Sequence, residues 1–153
     1  MSVQPIIRSV TVTAPPAKAF VLFTDHMKNW WKKGSTLGKK PHEELVIEKR
    51  AGGRWFERDE DGVEADWGKV LAFEPPGRLL LGMQLNSQFK YDPSVLTEVE
   101  ITFAEAPGGG TLLRLEHRNL ERLGQGAEQM IAGMSGGWTG HVNAFAAYVA
   151  AQG

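Results

Sequence analysis

Cysteine is absent from this chain of 153 residues. Its absence excludes disulfide bonds, thiol catalysis and cysteine-ligated zinc, and it is typical of proteins from a reducing compartment. The chain also lacks an apolar run long enough to span a membrane, and residues 1–8 lack the basic and apolar regions of a signal peptide. We therefore expect a cytoplasmic protein with no membrane association.

Excess charge of either sign is also lacking, since the net charge is −1. This balance gives no electrostatic reason to expect nucleic acid or an anionic membrane as a partner. Internal repeats and low-complexity segments are absent as well. A composition of 42% hydrophobic and 23% charged residues is typical of a globular protein, and the length predicts a single domain over residues 1–153.

Motifs for metal or nucleophilic chemistry are missing too. No two of the 4 histidines stand four residues apart, and no serine lies in a nucleophile elbow. The glycine runs at 52–53 and 108–110 lack the strand-to-helix context of a phosphate loop, so they predict hairpin turns. Residues 32–41 are basic, but their dispersed charges indicate a solvated loop rather than an anion-binding lip. We expect no metal and no cofactor, and the sequence favours binding over catalysis.

The clearest pattern that is present is a long helix from Gly126 to Gln152, about 40 Å in length. Large apolar residues recur there at steps of four and three: Met130, Met134, Trp138, Val142, Phe145 and Val149. Gly133 and the pair Gly136-Gly137 predict a kink or a second helix start. Met130 and Met134 suit an adaptable wall because methionine is flexible, although gap-filling core is an equal alternative.

At the other end of the chain, Pro5–Thr13 has the pattern of a strand. Two short helices are predicted after it, at Ala17–Phe23 and His26–Trp31. Adjacent residues on a helix point about 100° apart, so Trp30 and Trp31 cannot both face inward from one helix. We therefore expect one of them to line a boundary or the mouth of a cavity.

Apolar residues recur at every second position through the middle of the chain, which is the spacing of half-buried strands. Turn signals separate these segments, which are Leu45–Ile47, Arg54–Arg58, Val63–Phe73, Arg78–Gln84, Val95–Phe103 and Thr111–His117. Strict alternation in the third segment would put Trp67, Lys69 and Leu71 on one face. Six or seven antiparallel strands, with one apolar face covered by the long helix, predict an α+β domain. Residues 85–94 are predicted to form a loop at one end of the sheet.

Several polar side chains are candidates for a role inside this domain. By strand alternation His117 lies on the apolar face, where a buried histidine with a carbonyl or carboxylate partner is favoured over an acid–base role. His141 is expected to be half exposed at the edge of the helix stripe. Arg114 is expected to pair across strands with Glu98 or Glu100.

The order of elements resembles the helix-grip, or START-like, fold, in which a curved antiparallel sheet grips a C-terminal helix. Motifs in the same order narrow the resemblance. They are Pro16 with Phe20-x-x-Phe23-Thr24, Gly52-Gly53-Arg54-Trp55, Asp66-Trp67-Gly68-Lys69-Val70, Glu74-Pro75-Pro76, Thr97-Glu98-Val99, Ile101-Thr102-Phe103, Gly109-Gly110-Thr111 and Gly137-Trp138. Together they resemble the homologues of the activator of Hsp90 ATPase, within the SRPBCC superfamily.

This resemblance implies an apolar cavity between the sheet and the long helix. Across the superfamily such cavities hold lipids, hormones or polyketides, and only some members are enzymes. The residues that we predict to contact a ligand are Trp31, Trp55, Trp67, Phe89, Phe103, Leu115, His117, Met130, Met134 and Trp138. Tryptophan offers apolar area with an N–H group, although ordinary core packing is the alternative for each.

Three functions stay open at this point. The first is binding of a small hydrophobic molecule without catalysis. The second is a reaction of the polyketide cyclase or aromatase type, with His117 or a carboxylate such as Glu57 or Asp66 as the acid–base group. The third is a protein-interaction module, but short bacterial members of this family lack the extra N-terminal domain of the eukaryotic activator, so we do not expect chaperone contact. The sequence leaves a homodimer open.

Overall fold

A computed structural model describes residues 3–152, so the two first residues of the predicted domain and its last residue lie outside the described part. The strands are β1 (Ile6–Val12), β2 (His42–Ile47), β3 (Arg54–Asp59), β4 (Glu64–Glu74), β5 (Arg78–Met83), β6 (Thr97–Glu105) and β7 (Thr111–Arg118). The helices are α1 (Pro16–Asp25), α2 (Met27–Trp30) and α3 (Ala127–Gln152), and a 3-10 turn at Leu120–Leu123 precedes the last of them.

The strands form one antiparallel sheet in the order β1-β7-β6-β5-β4-β3-β2. The sheet curls into a half-barrel, and α3 packs inside this curve, where its main strand contacts are to β1. The two short helices follow β1 and pack against β2 and β6. These features confirm the predicted α+β helix-grip fold, with seven strands and two short helices after the first strand.

The inner face of the sheet is the apolar face that the alternation predicts. On β6 and β7 the inward residues stand directly opposite one another in the pairs Val99↔His117, Ile101↔Leu115 and Phe103↔Leu113. All six are buried. Directly opposed residues lie on the same face of an antiparallel pair, so one apolar layer runs across both strands and meets α3.

The alternation predicted for β4 is wrong, because two irregularities shift its register. Trp67 is an extra residue in the pairing with β3, and Leu71 is an extra residue in the pairing with β5. An extra residue reverses the faces of those that follow it. Lys69 is therefore exposed, while Trp67 and Val70 are both buried on the inner face.

Trp30 and Trp31 do not both face inward from one helix, as expected, but both are buried, because only Trp30 belongs to α2. Helix α2 ends at Trp30, and Trp31 has extended backbone angles, with φ −68° and ψ 126°. Because Trp31 has left the helix, its side chain is free of the helical spacing. Both indoles are buried, with 4% and 3% of their surface exposed.

Helix α3 runs without a break through Gly133, Gly136 and Gly137, so the predicted kink or second start is not present. The packing of its buried stripe against the sheet outweighs glycine's cost of about 1 kcal/mol per residue in a helix. The buried residues of this stripe are Met130, Met134, Trp138, His141, Val142, Phe145 and Val149. No described helix has the length and apolarity that crossing a membrane would need.

On the outer face of the sheet, the ion pairs differ from those predicted. Arg114 binds Glu116 on its own strand, with 3.1 Å between Nη1 and Oε1. Arg118 instead takes the cross-strand role and contacts both Glu98 and Glu100 at 3.0 and 2.9 Å. The reason is the register, which places Arg118 directly opposite Glu98.

Gly68 provides a test of the β4 irregularity. A Cβ atom there would stand 1.8 Å from the carbonyl oxygen of Gly82 on β5. We expect Gly68→Ala to lower the free energy of unfolding by about 3 kcal/mol, because backbone would have to move in a packed sheet. The matched control is Gly136→Ala, whose added Cβ meets nothing within 4 Å and should stabilise α3 by about 0.5–1 kcal/mol. Urea unfolding measures both, and equal effects of the two changes would contradict this account.

Candidate functional site

A pocket of about 430 Å³ lies between the first half of α3 and the loop formed by residues 84–91. This volume is within the range of small-molecule sites, about 300–1,000 Å³. The lining residues are Trp31, Ser35, Trp67, Met83, Ser87, Gln88, Phe89, Gln129, Met130, Gly133, Met134, Gly137, Trp138 and His141. Aromatic rings and methionine side chains therefore make up most of the wall.

Six of the ten residues that we predicted to contact a ligand line this pocket, namely Trp31, Trp67, Phe89, Met130, Met134 and Trp138. The other four lie behind the wall. Trp55 stacks on Trp67 with ring centroids 5.7 Å apart, and Phe103 packs against Phe20 at 5.1 Å. Leu115 and His117 point inward from β7 and are completely buried. Strand alternation shows which face of the sheet a residue lies on, but not how far that residue is from the pocket. The sequence therefore could not separate the lining residues from those behind them.

Trp31 is the centre of the aromatic wall. Its ring meets those of Trp55, Trp67 and Trp138 edge to face, at centroid distances of 6.1, 5.3 and 5.7 Å. These are favourable geometries for aromatic pairs. Its indole N–H donates to the carbonyl oxygen of Ser35 at 3.0 Å. The extended backbone after α2 thus places one indole in contact with three others.

Two polar groups behind the wall hold two of these indoles. Glu57 is 2% exposed, and its Oε1 accepts hydrogen bonds from Nε1 of Trp67 and the backbone N–H of Leu37, both at 2.9 Å. Its Oε2 accepts from the N–H of Gly38 at 3.1 Å. The 32–41 loop is consequently anchored to the pocket wall through a carboxylate. Asp66, in contrast, forms an ion pair with Arg54, so neither predicted carboxylate lines the pocket.

His117 supports Trp138 in the same way. Its Nδ1 accepts a hydrogen bond from Nε1 of Trp138 at 3.0 Å. An accepting Nδ1 leaves the ring proton on Nε2, which therefore donates to Oγ1 of Thr97 at 2.7 Å. Burial lowers the pKa of His117 to about 4, so the ring is neutral at pH 7. Both nitrogens are used, and their partners are an indole and a hydroxyl rather than the predicted carbonyl or carboxylate.

His141 was expected to be half exposed, but only 5% of its surface is accessible and it lines the pocket. Its ring stacks on Trp31 at 3.7 Å with an interplanar angle of 11°. Its Nδ1 is buried and has no hydrogen-bond partner among the described residues. Burial is the main cause that lowers the pKa of His141 to about 4, with Lys32 and His42 adding to it. The signal for its role was present in the sequence, since it follows Met134 by seven positions on one helix face.

Phe89 stands at the rim of the pocket in a strained conformation. Its φ is 62°, in the left-handed region that non-glycine residues seldom occupy. Asn86 shapes the loop, since its Oδ1 accepts the N–H groups of Gln88 and Lys90 at 2.9 and 3.1 Å. The Phe89 ring then meets Trp67 edge to face at 5.5 Å. Backbone strain of this kind clusters at ligand and active sites in proteins.

Within residues 3–152, no cluster of three or more histidine, aspartate or glutamate side chains has the arrangement to hold a metal ion. The described part of the pocket also contains no lysine, arginine or carboxylate among its lining residues. The arrangement can therefore hold an apolar molecule, present aromatic faces to it and offer one imidazole.

The burial of His117 predicts a loss of stability in acid. The folded state keeps a pKa of about 4, whereas the unfolded state has the ordinary value of 6.5, so between these values the unfolded chain binds the extra proton. Stability should fall by about 3 kcal/mol as the pH is lowered through that window. His117→Gln should reduce the slope of unfolding free energy against pH, measured by urea titration from pH 7.5 to 4. An unchanged slope would contradict the burial of a neutral ring.

The strain at Phe89 predicts an unusual order of stability. Glycine adopts a positive φ freely, whereas alanine in this region costs about 1 kcal/mol. Phe89→Gly should therefore be more stable than Phe89→Ala by about 1 kcal/mol, although glycine is ordinarily the less stabilising residue. Val95, with an ordinary backbone conformation in the same connection between β5 and β6, is the control, and there alanine should be the more stable of the two. The same order at both positions would refute the strain.

Residues 13–150 match the family described as activator of Hsp90 ATPase homolog 1-like protein. No curated protein matches the chain significantly. Among solved structures, the anthrahydroquino-Gama-pyrone synthase Txn09, complexed with SUM, is 32% identical and matches over 97% of both chains with a TM-score of 0.67.

Two further structures extend the comparison. The self-sacrificing resistance protein CalC from Micromonospora echinospora is 28% identical, over 98% of this chain and 96% of its own, with a TM-score of 0.75. MLL2253 from Mesorhizobium loti, 20% identical over 97% and 98% of the two chains with a TM-score of 0.70, shows the fold alone. With the family match over residues 13–150 and the helix-grip fold, this chain belongs to the family of activator of Hsp90 ATPase homolog 1-like proteins.

Proposed function

We propose that this protein binds a small hydrophobic molecule with an aromatic ring system in the pocket between α3 and the 84–91 loop. The observation that carries the proposal is the composition of the wall. Four aromatic rings and three methionines surround about 430 Å³, and the described lining contains a single titratable side chain. Pockets of this size that are mostly apolar, with a few placed polar groups, are typical of ligand sites.

The two sides of the pocket contribute differently. On the sheet side, Trp31 and Trp67 are fixed by hydrogen bonds and by edge-to-face contacts, so they present a rigid aromatic surface. On the helix side, Met130 and Met134 can change rotamer at little cost. A rigid aromatic wall favours ligands with a flat ring system. The flexible methionines opposite can adapt to ligands with different substituents on that ring system.

The similar structures support a ligand of this kind. The 32% identical structure is named an anthrahydroquino-Gama-pyrone synthase, and that name denotes fused aromatic rings. Its chain and this one match over 97% of their lengths. Shared fold alone does not transfer an activity, and the aromatic wall described above is the independent support.

Catalysis of the polyketide cyclase or aromatase type is the second candidate. The 32% sequence identity to the anthrahydroquino-Gama-pyrone synthase favours it. His141 would be the acid–base group, because it is the titratable side chain of the described lining. A base is most effective when its pKa is near the working pH, and burial holds the pKa of His141 at about 4. The imidazole is therefore a weak base at pH 7, which favours binding. The test is mass spectrometry of an anthrahydroquinone substrate incubated with the protein. Conversion over many turnovers by the wild type, with no conversion by His141→Phe, would favour catalysis over binding.

Filling the pocket tests the binding site. Gly137 lines it, and a Cβ atom there meets nothing within 4 Å, so Gly137→Leu should fold and place its side chain in the ligand's space. We expect its affinity for the uncharged probe N-phenyl-1-naphthylamine, measured by fluorescence, to fall at least about tenfold. Gly136→Leu is the matched control: it is the adjacent residue of the same helix, is equally unobstructed and does not line the pocket, so its affinity should equal that of the wild type.

Three results of this experiment would count against the proposal. They are no saturable binding of the probe by the wild-type protein, equal affinities of the wild type and Gly137→Leu, and equal losses of affinity in the two leucine variants. Thermal unfolding of both variants checks that each is folded.

A further inference from the structure

The polar groups of the pocket wall differ in whether the protein already satisfies them. The indole N–H groups of Trp31, Trp67 and Trp138 donate to Ser35 O, Glu57 Oε1 and His117 Nδ1, respectively. None of these three donors is left for a ligand. Among the buried ring nitrogens of the lining, Nδ1 of His141 is the exception, since it has no partner among the described residues.

A buried polar atom without a partner is unfavourable, and most such atoms in proteins are satisfied by protein, water or ligand. Only 5% of the surface of His141 is exposed, and its side chain lines the pocket. The plane of its ring is fixed, because it stacks at 3.7 Å on Trp31 and meets Trp138 edge to face at 5.8 Å. The imidazole is thus held in place with unused hydrogen-bonding capacity.

The charge of the site restricts what can bind there. The titratable groups that bear on His141 are Lys32 and His42, and both act against protonation of its ring. Lys32 is exposed and lies against Gly140 rather than in the pocket lining. A neutral imidazole can donate one hydrogen bond and accept another, but it supplies no charge. An ionised group brought against the imidazole would lose hydration, and Lys32 would compensate it only weakly, because the ammonium is exposed to water and lies outside the pocket lining.

We propose that His141 is the polar anchor of the pocket, which hydrogen-bonds a hydroxyl or carbonyl group of an uncharged aromatic ligand and selects against ionised aromatic molecules. This inference rests on the proposed binding function and adds the chemical class of ligand to it. His141 acts here by contact with the ligand, whereas His117 acts by positioning Trp138.

Three naphthalene derivatives of similar size test the selection at pH 7.5, each in competition with N-phenyl-1-naphthylamine. They are 2-naphthol, which carries a hydroxyl, 2-methylnaphthalene, which lacks it, and 2-naphthoate, which is an anion. We expect 2-naphthol to bind about five- to tenfold more tightly than 2-methylnaphthalene, the range of one hydrogen bond, and 2-naphthoate to bind most weakly. Binding of 2-naphthoate as tight as that of 2-naphthol would overturn the proposal.

His141→Phe keeps a planar ring for stacking on Trp31 and removes both nitrogens. We expect this variant to bind 2-naphthol and 2-methylnaphthalene equally. His26→Phe is the matched control, since it makes the same change at an imidazole that bonds Tyr148 outside the pocket lining. It should retain the wild-type preference for 2-naphthol. A preference that survives in His141→Phe would overturn the role of His141.

A measurement on the wild type covers the case in which His141→Phe does not fold. Long-range ¹H–¹⁵N spectra resolve the imidazole nitrogens, and 2-naphthol should shift those of His141 while 2-methylnaphthalene shifts them less. Unchanged His141 signals at saturating 2-naphthol would overturn the proposal. Failure of the proposed function is distinguishable: in that case the fluorescent probe and all three naphthalenes do not bind, whereas failure of this inference alone leaves them bound without the expected order.

Discussion

The three indoles that line the pocket each donate their N–H to a hydrogen-bond partner, and these partners connect the separate parts of the structure. Trp31 bonds Ser35, which orders the chain after α2. Trp67 bonds Glu57, whose carboxylate also takes two backbone N–H groups of the 32–41 loop. Trp138 bonds His117 and so joins α3 to β7. Because an unsatisfied buried donor is costly, these bonds fix where helix, loop and sheet meet. The pocket is the space that remains in front of the three rings.

The irregularity in β4 makes this arrangement possible. Trp67 is the extra residue in the pairing of β4 with β3, and its side chain points inward. Strict alternation would have pointed Lys69 inward as well, but Lys69 is exposed. Gly68 beside it has no side chain, which lets the β5 backbone approach closely. Extra residues of this kind bend a strand and increase its twist. The same feature therefore curves the sheet around α3 and supplies one indole of the pocket wall.

The sequence predicted the fold well and the site in part, for physical reasons. Periodicity reports which face of an element is buried, so the strands, the long helix and the methionine side of the pocket could be predicted. It does not report how deep a residue lies. For this reason the sequence predicted His117 as a ligand contact and His141 as half exposed, whereas His141 lines the pocket and His117 lies behind its wall. The register shifts in β4 and the end of α2 before Trp31 depend on tertiary packing. A regular hydrophobic period cannot predict such irregularities. The ion pair of Arg118 with Glu98 likewise depends on a register that only the folded sheet sets.

The placement of the two neutral histidines determines which substitutions could change the polarity of this pocket. His117 has both nitrogens occupied by Trp138 and Thr97, so a substitution there would disturb the wall before it changed any chemistry. His141 stands one layer further forward, on the helix side, with a nitrogen that the protein does not use. Changes around it would alter the polarity of the pocket while the indole wall keeps its shape. A scaffold that separates its shape from its polar contacts in this way can change the chemistry of its pocket without a change of fold.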